Sequence, residues 1–212
     1  MTRDSREDEV GSNQITGDPV GVPNNLEELR LLEPGDAVEI WESGSLVVKT
    51  VFVCQETFDK ETYTWRWSFA DDGSLIEASP DGFFFYKTHQ IIKQGTDLYE
   101  ELVAQDGALV RFEERVRSGS SGRRPVHVTI EGKEYLLANT GTVKVHKSGA
   151  DPELVPWRSF DNNPEENVYF GLEDTADETN VILGLWTVHV CLSSGRELSE
   201  TDVTAVYRQK AR

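Results

Sequence analysis

The chain has 212 residues, 37% of them hydrophobic, and a net charge of −17 from 38 acids against 21 bases. That length suits one large domain or two small ones, and the modest apolar share leaves room for segments outside a core. Such a charge repels phosphate backbones and anionic lipid, so no nucleic-acid partner is expected, and no apolar run reaches the roughly eighteen residues of a membrane span.

Residues 1–24 are polar, rich in Gly, Pro, Asn and Asp, and show no hydrophobic period, so they read as a disordered acidic tail. The opening MTRDSREDEVGSNQ lacks the basic-then-apolar order of a signal peptide, and a cytoplasmic protein is expected. Asn25 to Leu32 predicts a short helix, with Asn25 as cap, Glu28 at capping-box spacing, Leu26, Leu29 and Leu32 on one face, and Pro34-Gly35 as its stop. Strand signals follow at Ala37–Trp41, where Val38 and Ile40 share a side, and at the β-branched run Leu46–Cys54.

The segment Glu61–Glu77 carries the sharpest pattern in the chain. Tyr63, Trp65, Trp67 and Phe69 fall on every second residue, with Thr62, Thr64, Arg66 and Ser68 between them. Period two sorts the aromatics to one face of a strand and the polar residues to the other. Asp71-Asp72-Gly73 then supplies a turn and Leu75-Ile76 resumes the apolar run, which makes a hairpin. An aromatic stripe of this kind is first of all a core face, although stacked rings also bind sugars, bases or quaternary amines. Further strands are expected at Phe83–Tyr86 and His89–Ile92, and a helix at Leu98–Ala104 capped by Asp97 with Glu100 three residues on.

Ser118–Gly122, SGSSG, reads as a linker with five arginines and two glutamates across residues 111–124. It divides the chain into a first β-rich domain at 25–117, a linker at 118–124 and a second β-rich domain at 125–208. The second part alternates at Val126, Val128 and Ile130, turns at Glu131-Gly132, and continues with Tyr135 and Leu137. Val143 with Val145, then Val168, Phe170 and Leu172, mark two more strands. Val181–Leu192 is the longest apolar run and reads as one strand with Trp186, Val188, Val190 and Leu192 on one face; Val203–Tyr207 closes the set. Many short strands with turn signals between them predict a mainly β protein: an antiparallel sandwich or barrel-like sheets, with one or two short helices.

Three stretches resemble a known family. Gly35-Asp36-Ala37-Val38 precedes the Tyr63-Thr64-Trp65-Arg66-Trp67 strand and its Asp-Asp-Gly turn; Ile130-Glu131-Gly132-Lys133-Glu134-Tyr135 precedes Gly141-Thr142-Val143; and the Trp186 strand precedes Gly195-Arg196-Glu197-Leu198. From about Leu32 to Tyr207 this order is similar to the bacterial domain of unknown function 4178. The resemblance implies β-rich domains, no established activity, no transferable catalytic residues, and an association with polyamine-related enzymes.

Few residues suggest chemistry. No GxSxG elbow, P-loop or GxGxxG fingerprint occurs. The two cysteines, Cys54 and Cys191, lie far apart and are expected to be structural and reduced. His127, His146, His189 and Cys191 are expected on polar strand faces, where adjacent strands would let them form a divalent-metal site. Residues 151–178 set nine acids against Arg158 alone. Glu165, Glu166, Asp174, Asp177 and Glu178 of that segment are candidates for a surface that meets a cation, a basic protein or a polyamine. The leading expectation is therefore a non-enzymatic binding or accessory module. A metal-dependent hydrolase using the His/Cys face and a structural or assembly component are the alternatives.

Overall fold

A computed structural model describes residues 25–118, 125–152, 167–177, 180–186 and 189–209. The expected tail at 1–24, most of the expected linker, and Glu165, Glu166 and Glu178 lie outside those residues. The fold is mainly β and antiparallel. In chain order it runs α1 (Asn25–Glu28) with a 3₁₀ turn (Leu29–Leu31), β1 (Ala37–Ile40), β2 (Gly44–Phe58), β3 (Glu61–Ala70), β4 (Leu75–Ser79) and β5 (Gly82–Ile92). Helices α2 (Asp97–Val103) and α3 (Ala108–Arg117) follow, then β6 (His127–Ile130), β7 (Lys133–Gly149), β8 (Asn167–Asp174), β9 (Val181–Trp186), β10 (Val190–Glu197) and β11 (Val203–Tyr207).

Eight strands close into a barrel in the order β2-β3-β4-β5-β10-β9-β8-β7, with β7 returning to pair with β2. β2 shares one of its edges between two partners: Gly44–Val47 pair with β1, and Thr50–Gln55 pair with β7. β11 extends the sheet past β1, and β6 extends it past β7. Strands from before and after residues 118–124 therefore pair with each other at β1–β11, β2–β7 and β5–β10. This corrects the two-domain reading: segments 25–117 and 125–208 complete one sheet, and neither half closes the barrel alone.

Period-two alternation places three apolar clusters. Phe52, Cys54, Trp65, Trp67, Phe69, Leu75, Tyr86, Val143, Val145, Leu183, Leu185 and Cys191 fill the barrel interior. The outward residues of β6–β10 pack under α2 and α3, which bury Leu102 and Leu109 there. The outward residues of β1, β2, β4 and β5 pack under Leu29 and Leu32 of the N-terminal turn. Most barrel strands are thus covered on both faces.

Several local expectations change. Asn25 does not cap α1; its amide donates to the carbonyls of Val203 and Thr204 and ties the N-terminal turn to β11. The cap of α2 is Thr96, whose hydroxyl accepts from the Tyr99 amide, one residue before the expected Asp97. Residues Phe83–Ile92 lie in one strand, as do Tyr135–Val145, because each runs along its barrel neighbours with only a one-residue register shift. Val181–Leu192 is two strands, since the chain reverses and sets Val190 opposite Trp186. No Gly, Pro or Asn marks that reversal, so the apolar run hides it. Helix α3 overlaps the arginine-rich stretch that begins at residue 111 beside the expected linker, and there Leu109, Phe112 and Val116 hold helical spacing.

Candidate functional site

The barrel interior changes character toward one end. Deep inside, Trp65 and Trp67 meet edge to face at 5.8 Å, and Tyr169 from β8 packs edge-on against both at 5.5 and 6.2 Å. Toward the β4–β5 turn the inward positions become polar. On β4, Leu75 points in, Ile76 out, Glu77 in and Ala78 out, so alternation sends an acid into the lumen. β5 contributes Phe84 and Tyr86, stacked at 6.4 Å. The inward positions of the facing strands are small: a Cβ on Gly141 would strike Glu56 and Tyr169, and one on Gly171 would strike Asn139. Beside Gly171 lies a cavity of about 230 Å³, lined among others by Glu77, Asp81, Tyr86, Asn139, Tyr169 and Glu173.

Two carboxyl–phenol pairs stand in this mouth. Tyr86 Oη donates to Glu77 Oε2 at 2.8 Å, and Tyr169 Oη donates to Glu56 Oε2 at 2.8 Å. Glu77 as a residue is half-buried, but its carboxyl is enclosed by protein and meets solvent through the cavity. Burial pushes that carboxyl up to about 7, against the hydrogen bond from Tyr86 and the polar groups of nearby Trp67 and Ser79, which lower it; the charge of Asp81 raises it further. Burial, followed by the nearby glutamates, also raises the phenols of Tyr86 and Tyr169 well above their ordinary value. Near neutral pH the mouth thus holds one acid poised between its two protonation states and two neutral phenols.

The opposite end of the barrel has a second cavity of about 460 Å³ beside Lys49, Asp71, Asp72, His89 and Asp151. Its three acids and its imidazole are already engaged. Asp71 accepts from the Val47 amide, Asp72 from Ser74, and Asp151 pairs with Lys147. His89 Nε2 lies 2.9 Å from the Gly73 carbonyl, which can only accept, so Nδ1 accepts from Ser193 Oγ at 2.8 Å. Burial lowers the pKa of that imidazole and keeps it neutral. This end is braced, whereas the Glu77 end opens its poised group to the cavity.

The expected His/Cys metal site does not assemble. His127 faces Leu136 across β6–β7, while His146 sits ten residues further along β7 opposite Val53, roughly 30 Å away at strand rise. His127 Nδ1 lies 2.7 Å from Glu134, and His189 Nδ1 accepts from the Gln94 amide. Cys191 points into the barrel and is fully buried, because both faces of β10 are covered. Among the described residues no three His, Cys, Asp or Glu side chains are placed to hold a metal ion. Asp174 is likewise no open cation ligand: it is buried, accepts from the Ala176 and Asp177 amides and from Asn180, and is held below the ordinary carboxylate range by those bonds. Asp177 is exposed. Glu173, from the same acidic segment, lines the barrel mouth.

Glu56, Glu77, Tyr86 and Tyr169 did not stand out in the sequence. Only Glu77 carried a signal, as a lone acid within the apolar strand Leu75–Ser79. No helix among the described residues is long and apolar enough to cross a membrane. Comparison of the chain with family models, curated proteins and solved structures found no match.

Proposed function

We propose that this protein is a binding module whose barrel mouth takes a small organic cation, an amine. One observation carries the reading: among the described residues the cavity is lined by the acids Glu77, Asp81 and Glu173 and by no lysine, arginine or histidine, with aromatic walls from Phe84, Tyr86 and Tyr169. Carboxylates attract an ammonium group, and ring faces favour a cation that has shed its water. An eight-stranded barrel leaves room for one small ligand at most, which fits a cavity of this size. A bare metal ion fits less well, since the described acids do not converge in threes. The acidic segment enters this reading through Glu173, which joins its charge to the mouth.

The test is calorimetric titration at pH 8 with benzylamine and putrescine, and with benzoate and benzyl alcohol as anionic and neutral counterparts. The amines are expected to bind in one-to-one ratio and to perturb the tryptophan fluorescence of Trp65 and Trp67, which lie against Tyr169. Glu77→Gln should weaken them about tenfold or more. Equal binding of benzoate, or amine affinity unchanged in Glu77→Gln, would rule the reading out.

A further inference from the structure

An acid enclosed in the barrel mouth must be ionised to pair with a cation, and the lumen sets the terms on which that happens. We infer that the mouth takes up an ammonium-bearing ligand by exchange: as the ammonium docks beside the Glu77–Tyr86 pair, the Glu77 carboxyl releases its proton to solvent. This rests on the amine reading above and specifies how that site is regulated.

The geometry supplies the reason. Glu77 is the inward acid of β4, its carboxyl is enclosed, and Tyr86 already donates to one oxygen at 2.8 Å. Without a ligand, burial favours the neutral carboxyl. A cation within about 4–6 Å favours the ionised form, and one such charge lowers a carboxyl by roughly 1–3 pKa units. The only bond broken is the O–H of Glu77, and its proton passes to water or buffer. The ligand enters and stays as ammonium, and Tyr86 keeps its own proton while donating to the new carboxylate.

Other titratable groups face Glu77 from the elements around it. From β2 come Cys54 and Glu56, from the β4–β5 turn Asp81, from β5 Tyr86, and from β8 Tyr169 and Glu173. Burial raises Cys54, Tyr86 and Tyr169, so these three stay neutral across the physiological range. Glu56 is engaged by Tyr169. The walls of β7 and β9 add the neutral Asn139, Val181 and Leu183.

The consequence is a site that fills at neutral to alkaline pH and empties on acidification. The experiment is benzylamine titration of the full chain at pH 6, 7 and 8, each in two buffers of contrasting ionisation enthalpy. For a carboxyl near 7 that drops by about two units on binding, release should be about 0.8 proton per amine at pH 6, about 0.5 at pH 7 and about 0.1 at pH 8. Affinity should fall about tenfold from pH 8 to pH 6. Glu77→Gln should bind weakly, release no proton and show no pH dependence over this range. Should that variant fail to fold, the proton count on the wild-type chain decides alone, because it needs no variant. Benzylamine binding with no proton release between pH 6 and 8 overturns the exchange and leaves the amine reading intact. Absence of benzylamine binding at all three pH values overturns both.

Discussion

Glu77 occupies a position where alternation calls for an apolar side chain, and holding it there has a thermodynamic cost that varies with pH. Its carboxyl moves from an ordinary 4.5 up to about 7 in the folded protein because burial penalises the charge. The folded state therefore binds the proton more tightly than the unfolded chain does. Below about 4.5 both states are protonated and Glu77 has no effect; as pH rises toward 7 the unfolded chain ionises first and stability falls; above 7 the full cost, on the order of 3 kcal/mol, is present. Thermal melts from pH 5 to 9 should show this loss in the wild-type chain, and Glu77→Gln should flatten it and be the more stable protein at pH 8. A variant as pH-sensitive as the parent would show that another group titrates. Gly184 is a second residue set by its surroundings. A Cβ there would lie 2.2 Å from the ring of Phe170, which is fully buried and cannot swing away. Gly184→Ala should cost about 1–3 kcal/mol by overpacking, measured by urea denaturation. Gly132, by contrast, is required by its backbone, since it follows Glu131 in a turn with φ positive at both residues, the hairpin geometry that joins β6 to β7.

Elements were legible where one local pattern determined them. The Trp65, Trp67 and Phe69 face is buried as period two requires, while Tyr63 leaves the barrel near the hairpin tip and is 39% exposed. Val38 with Ile40, and Val128 with Ile130, also lie on buried faces as read. Illegible were the elements whose identity depends on a distant neighbour. β9 and β10 are buried on both faces, so neither alternates, and their reversal leaves no turn signature. For the same reason Cys191 was assigned to a polar face that β10 does not have. The mouth is harder still, because Glu56, Glu77, Tyr86 and Tyr169 come from four strands and meet only once the barrel closes. Helix α2 shows local chemistry at work: Thr96 caps it, and the helix then buries Tyr99, Leu102 and Val103 over the outward face of β6–β10. Thr96→Ala should lower stability by about 1 kcal/mol, and Thr96→Ser should restore it, as read from chemical denaturation midpoints. No loss in the alanine variant would mean that packing alone holds α2.

At the scale of the molecule, the controlling fact is that three seams join the chain's two halves: β1–β11, β2–β7 and β5–β10. The barrel interior draws on both halves, with Phe52, Trp65 and Trp67 from one packed in the same cluster as Val143, Leu185 and Cys191 from the other. Removing either half would open two barrel seams, expose that aromatic lining and leave strand edges without partners. Cooperativity follows from this arrangement, because no subset of strands keeps a covered interior on its own. Urea unfolding followed by far-ultraviolet circular dichroism and by tryptophan fluorescence should therefore give coincident single transitions. Two separable steps, or a fragment ending near residue 117 that folds by itself, would contradict the closed barrel. Hydrogen exchange supplies the finer reading. Amides across β2–β7 and β5–β10 should open only with global unfolding, and those of β11 and β6, each paired along one edge, should exchange earlier. Since Glu56 on β2 meets Tyr169 on β8 with β7 lying between those strands, early exchange at the β2–β7 seam would also mean that the mouth and the barrel open there together, ahead of global unfolding.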